Sequence, residues 1–208
     1  MRKLNLARPV LAVVLLAPIG ALTLGVSADA MGPNPQETLI RELGQWTIRL
    51  LAVVLAITPL RQVFGWVSLL QYRRMIGLFV FFYGSLHLLA YVVFDKAVDL
   101  VEVWIDVMDR PFITVGILAW VMLLVLAITS PKAILRRLGP NRWKTIHQMI
   151  YFVAFLAVLH FFWMRSGKLN FGEVWLWGGV LFALLLMRTP PIKERLIEFG
   201  RRRARRSA

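Results

Sequence analysis

Cysteine is absent from this 208-residue chain. That excludes disulfides, thiol catalysis, iron–sulfur clusters and Cys-rich zinc sites within it, so any redox chemistry rests on other ligands. Histidine is scarce, at three residues. Acidic residues number 11 against 25 lysines and arginines, and none falls inside the long apolar runs described below. A carboxylate-lined proton path through those runs is therefore not expected. No glycine-rich phosphate-binding fingerprint follows a strand-like segment, so the chain is not expected to bind NAD(P)H itself. Internal repeats, heptad arrays and low-complexity tracts are missing as well. The arginines carry no interleaved aromatics, so the formal charge of +14 does not point to nucleic acid.

What the chain has in excess is apolar side chains: 59% of residues, with a mean hydropathy of +0.67, against roughly 45–50% in an ordinary soluble domain. The excess is concentrated in runs at 9–26, 46–60, 75–94, 112–129, 146–163 and 174–187. About 20 apolar residues cross a bilayer as a helix. The second and sixth runs are short and reach that length by borrowing Leu43 and Leu169. The expectation is an all-α membrane protein, a bundle of six transmembrane helices. Three segments follow: 1–43 with the first span and its loop, a core at 44–165, and 166–208 with the last span and a basic tail.

Loop charges orient the bundle. Arg2, Lys3 and Arg8 precede the first run; Asp29, Glu37, Arg41 and Glu42 follow it. Arg61, Arg73 and Arg74 come next, then the acidic stretch Asp95, Asp99, Glu102, Asp106 and Asp109. Lys132, Arg136, Arg137, Arg142 and Lys144 form a basic loop, Arg165, Lys168 and Glu173 nearly cancel, and five arginines between 201 and 206 close the chain. Basic and non-basic loops alternate, which places both termini in the cytoplasm. Trp46, Trp66, Trp104, Trp143 and Trp163 stand near span ends, as interfacial aromatics do. The basic tail is expected to meet anionic lipid or to fix topology. The first run, with basic residues before it and Ala28-Asp29-Ala30 after, also resembles a secretory leader. The expectation is a retained helix; a cleaved leader leaves five spans.

Ionisable side chains inside spans are functional candidates. His87 lies 12 residues past Met75 and His160 lies 14 past Ile146, depths of about 18 and 21 Å at about 1.5 Å per residue. Both spans run in the same direction, so the two imidazoles share a height in the outer half of the membrane. Two axial ligands of one haem require that arrangement, each on its own helix. Two structural histidines in helix packing are the alternative. Zinc fits less well, since it takes three or four converging ligands. Gly84, one turn before His87, and Gly77 would let a macrocycle approach, or would serve helix–helix contact. His147 lies 13 residues before His160, about 20 Å away along the axis. It therefore serves a second haem on the cytoplasmic side, or is an interfacial histidine. Arg73 and Arg74 stand where a symmetric second ligand would be: either a second haem takes an unusual ligand, or there is only one haem, or that basic corner binds an anionic cofactor such as a flavin phosphate. Arg49 is expected to snorkel to the interface.

Several stretches resemble one known family: Arg73-Arg74-Met75-Ile76-Gly77-Leu78 with His87-Leu88-Leu89-Ala90-Tyr91; Arg110-Pro111-Phe112-Ile113-Thr114-Val115-Gly116; Ala127-Ile128-Thr129-Ser130; and Arg137-Leu138-Gly139, Trp143-Lys144, His147, Tyr151 and His160-Phe161. Together, over about 44–163, they resemble the MsrQ family, within the ferric-reductase-like transmembrane domains. The resemblance implies a b-type cytochrome of the bacterial inner membrane with one or two haems b, an electron-transfer subunit rather than the catalytic one. His87, His147 and His160 match the family's haem-ligand positions, and an FMN associated with the subunit is also implied. Electrons are expected from a cytosolic flavin reductase or from quinone. Their destination is a periplasmic molybdopterin-containing subunit that reduces methionine sulfoxide in oxidised proteins. The stretch 95–110 is a candidate docking surface for that partner. A stand-alone ferric or quinone reductase and a non-redox scaffold or transporter are the rival functions.

Overall fold

The structure, a computed structural model, describes residues 6–167 and 169–206, so Arg2, Lys3 and Lys168 of the loop-charge pattern lie outside the described residues. Among the described residues every regular element is helical: α1 Ala7–Ser27, α2 Pro35–Phe64, α3 Arg73–Ala90, α4 Leu100–Asp109, α5 Pro111–Ile128, α6 Lys132–Leu138, α7 Pro140–His147, α8 Met149–Ser166, α9 Gly172–Leu186 and α10 Pro190–Arg206. A π-helical turn, Tyr91–Asp95, extends α3.

Five of these helices or continuous helix pairs are long and apolar enough to cross a membrane, and a sixth span exists only if α9 and α10 are taken together across an 80° bend. With 15 residues, α9 rises only about 22 Å, short of a hydrocarbon core of about 30 Å. The break falls at Thr189-Pro190-Pro191, where neither proline offers an N–H to continue the ladder. The chain is thus a multi-pass, all-helical membrane protein with five spans, or six if the bent pair counts as one.

The central element is α2. Asn34 caps it, accepting from the Glu37 N–H with Pro35 in the first turn, the position where a missing N–H costs nothing. The helix therefore begins well before the apolar run at 46–60 and takes up Glu37, Arg41 and Glu42, which the sequence pattern assigns to a loop. Leu51, Val54, Leu55 and Ile57 of α2 pack against Val80 and Tyr83 of α3, Val153 and Ala154 of α8, and Leu181 of α9. By contrast α1 is peripheral: Leu15 is its buried residue, and its carbonyl accepts from the Tyr83 hydroxyl at 2.7 Å. Large apolar side chains elsewhere stay exposed, Val13, Phe155 and Phe182 among them, which is what lipid-facing surfaces require.

Pro59 interrupts α2 and cannot donate to the carbonyl four residues back, Leu55. Arg188 supplies the missing donor from α9's end, with Nη2 2.7 Å from that oxygen and its guanidinium 5.4 Å from the Tyr151 ring centre. Arg188→Leu leaves the carbonyl without a partner, at a cost of about 1–3 kcal/mol. The expected result is a lower thermal midpoint in detergent, and an unchanged midpoint refutes this role.

Candidate functional site

The α4 end of the bundle contains a cavity of about 610 Å³ enclosed by α2, α3, α5 and α8. Its walls are mostly apolar, and both His87 and His160 line it. It reaches back to Asn34, Glu37 and Ile40, across the boundary at residue 43 expected from the apolar runs.

The two imidazoles are brought together. Their ring centres are 6.1 Å apart and their planes stand at 82°. Each ring is anchored from behind by a backbone carbonyl of the neighbouring helix. Nδ1 of His87 is 2.8 Å from the Ile40 oxygen, and Nδ1 of His160 is 2.6 Å from the Phe112 oxygen. A carbonyl only accepts, so both Nδ1 atoms carry the proton and both Nε2 atoms present a lone pair. No hydrogen bond within the described residues uses either Nε2. Among the described residues the one fully enclosed side-chain N or O without a partner is Nε of Arg165, so the two Nε2 atoms are not sealed against protein.

A glycine lies four residues after each accepting carbonyl. A Cβ on Gly44 would sit 3.1 Å from the His87 ring, and one on Gly116 only 2.8 Å from Nδ1 of His160. The same device is thus built twice, by α2 for the imidazole on α3 and by α5 for the imidazole on α8. Spacing along the sequence does not single out either glycine as a site residue. A glycine in an apolar span reads as helix packing, and the ring it faces comes from another helix.

The glycines expected near His87 behave otherwise. Gly84 lines the cavity, where a Cβ would make ordinary 3.6 Å contacts with Leu123 and Thr47, and Gly77 faces Val54 at 3.9 Å. His147 is remote from the pair. It stacks on Trp143 at 3.9 Å, and its Nε2 lies 3.2 Å from the Thr129 hydroxyl. Arg73 lies within electrostatic reach of His147, Tyr151 and Arg188, while Arg74 is exposed. Neither arginine approaches the cavity. Arg49 leans over the Trp46 ring at 4.9 Å and bonds Gln45 with Glu42 at 3.6 Å.

At the rim, Asp106 is buried among Lys96 at 2.6 Å, the Tyr91 hydroxyl at 2.9 Å and Arg110 at 3.3 Å. Burial pushes its carboxyl up, but the Lys96 and Tyr91 hydrogen bonds and the Arg110 charge outweigh that and hold it below the ordinary value. The Asp106 hydrogen bond in turn raises Lys96. A lowered acid contributes stability above its unfolded pKa of about 3.9, and loses it as pH falls through the folded value; a raised lysine contributes below about 10.4 and loses it as pH rises through the folded value. The pair's contribution is therefore flat across neutral pH and declines at both extremes. Asp106→Ala takes from Lys96 its nearest partner and leaves it only Glu102 at 3.6 Å and Asp95 at 4.0 Å, a loss of up to about 3–5 kcal/mol. Thermal unfolding is expected to show it as a large drop in midpoint, and a small one means the hub is dispensable.

The arrangement suits one metal between two nitrogens. With nitrogen–metal bonds of about 2.0–2.1 Å and each ring centre about 1.2 Å beyond its nitrogen, the centres fall about 6.4 Å apart, close to the 6.1 Å found. Among the described residues no group of three or more His, Asp or Glu stands together as a candidate metal site; a planar macrocycle would need only two such nitrogens and an apolar slot. A cavity of this size and apolar lining, with cationic Arg41 and Arg110 at its walls, fits such a group.

Fold and site together define a ferric-reductase-like transmembrane helix bundle, and the family model described as ferric reductase like transmembrane component matches residues 43–158. The chain is 44% identical to the protein-methionine-sulfoxide reductase heme-binding subunit MsrQ of Polaromonas naphthalenivorans, over 86% of this chain and 82% of that relative. The MsrQ subunit of the same description from Bordetella pertussis is 45% identical over 88% of this chain and 89% of its own, and that of Herminiimonas arsenicoxydans 43% over 89% and 85%. The chain belongs to the MsrQ family.

Proposed function

We propose that the chain is the haem-binding membrane subunit of a protein-methionine-sulfoxide reductase system, holding one haem b between His87 and His160. The supporting observation is the paired histidine geometry: two carbonyl-anchored rings with centres 6.1 Å apart, both lining one cavity. A bound haem supplies a one-electron carrier in a low-dielectric setting. The chain's residues do the rest. The Ile40 and Phe112 carbonyls fix the tautomer and raise the basicity of both ligands. Gly44 and Gly116 admit the rings, and the helix walls exclude water.

In this reading the termini face the cytoplasm of a bacterial inner membrane, which puts the basic end near a cytosolic donor, a flavin reductase or quinone. The α4 end then faces the periplasm and the molybdopterin-containing catalytic partner. Asp95, Glu102 and Asp109 are exposed and available for docking, whereas Asp106 is committed to its hub. Neutralising all five acids of 95–110 therefore confounds docking with folding, since Asp99, though exposed, caps α4; the three other exposed acids form the proper test. His147, Arg73 and Arg74 line the basic end, where an FMN phosphate or a second haem would bind; no cavity joins them to the His87–His160 pair among the residues lining it.

The function is tested by reoxidation. The haem-loaded chain, chemically reduced under anaerobic conditions, is mixed with the periplasmic enzyme and then with methionine sulfoxide. Loss of the reduced absorbance only when both are present is expected. Reoxidation independent of the enzyme supports a stand-alone reductase instead.

A further inference from the structure

Helix α4 has its polarity inverted relative to a helix on a soluble protein. Its inward face carries buried Asp106, while Leu100, Val101, Trp104, Ile105 and Met108 are all more than half exposed. Their spacing, one and four residues apart, forms a single stripe along the outward side. An apolar face turned away from the protein, with the charge turned in, is stable only where the medium outside is not water. With ten residues, α4 rises about 15 Å and cannot cross a core of about 30 Å. In the chain it lies between the π-helical turn after α3, which exposes Val93 and Phe94, and α5, which exposes Leu118.

The entry to α4 is a tight, well-bonded turn. Ala97 and Val98 have φ of 47° and 66°, unfavourable for a β-branched residue. The Val98 N–H nevertheless donates to the Val92 carbonyl at 2.9 Å, and the Asp99 N–H to the Lys96 carbonyl at 2.8 Å. Asp99 then caps the helix through the Val101 and Glu102 N–H groups. The turn fixes which side of α4 faces out.

We propose that α4 is a membrane-laid strap: it rests in the lipid interface at its end of the bundle, with the Leu100–Val101–Trp104–Ile105–Met108 stripe in the acyl boundary and Trp104 as its aromatic anchor. Through Asp106 it holds Tyr91 and Arg110, both lining the cavity, at the rim. Glu102 and Asp109 flank the stripe and stay in water. This rests on the multi-pass membrane fold and not on the haem assignment.

The absence of cysteine makes the test direct. Val101→Cys, Trp104→Cys and Met108→Cys on the stripe, and Glu102→Cys and Asp109→Cys beside it, are exposed positions at which a nitroxide label leaves packing intact. In liposomes of the full-length chain, collision rates with dissolved oxygen and with a water-soluble nickel chelate are measured. The stripe labels are expected to be several-fold more accessible to oxygen than to nickel, and the flanking labels the reverse. Nickel access at all five positions, or shielding of the stripe from both probes, overturns the proposal; the second result means that protein, another copy or a partner, covers it.

Discussion

His87→Ala and His160→Ala are each expected to abolish haem retention, whereas His147→Ala is expected to leave it. Removing a ligand's supporting partner typically weakens metal binding 10–100-fold, so removing the ligand itself should cost at least about 100-fold. Neither deletion has a substitute on hand, since the chain holds only three histidines and no cysteine. His147 belongs to the other end of the bundle, stacked on Trp143 and facing Thr129. Haem per purified chain, assayed as the pyridine complex with haem supplied during expression, reads the result. Loss of half the haem in His147→Ala would instead establish a second site at the basic end.

Gly116→Ala is the second large effect, although it removes no functional group. The added methyl carbon would stand 2.8 Å from Nδ1 of His160, closer than non-bonded carbon and nitrogen approach, while at Gly44 the nearest ring atoms are 3.1 and 3.2 Å away. The His160 ring must tilt or slide, which stretches its 2.6 Å bond to the Phe112 carbonyl. That bond orients the ligand, so affinity is expected to fall about 10–100-fold. Gly44→Ala should fall less. The helices themselves should survive, because alanine is the better helix former by about 1 kcal/mol. A variant with unchanged thermal unfolding of the haem-free chain but weakened haem binding is the expected signature; normal haem affinity in Gly116→Ala removes the cradle from the account.

The legible and illegible parts of the site divide along a physical line. Apolar run length marks where chain enters a bilayer, and equal distances along parallel helices place His87 and His160 at one height, because helix rise is nearly constant. Nothing in such one-dimensional measures says which side chain meets which backbone carbonyl across a helix interface. The Ile40–Gly44 and Phe112–Gly116 pairs look like any small-residue contact of a membrane helix until the rings from α3 and α8 are set against them. The early start of α2 was written in Asn34-Pro35, a cap followed by a first-turn proline, but the charges at Glu37, Arg41 and Glu42 drew that stretch into a loop. The Thr189-Pro190-Pro191 break likewise marks the end of α9, though not the 80° turn into α10. The role of α4 is hidden by its three acids, Glu102, Asp106 and Asp109, because which of them points inward is a tertiary fact.

A haem held by His87 and His160 in their observed orientation is tested most directly by the low-temperature electron paramagnetic resonance spectrum of the oxidised, haem-loaded chain in membranes. Imidazole planes at 82°, pinned by two backbone carbonyls, predict a strongly anisotropic low-spin ferric signal dominated by one large-g feature, lost in both His87→Ala and His160→Ala. A high-spin signal in the wild type, or a low-spin signal that survives either substitution, would contradict it.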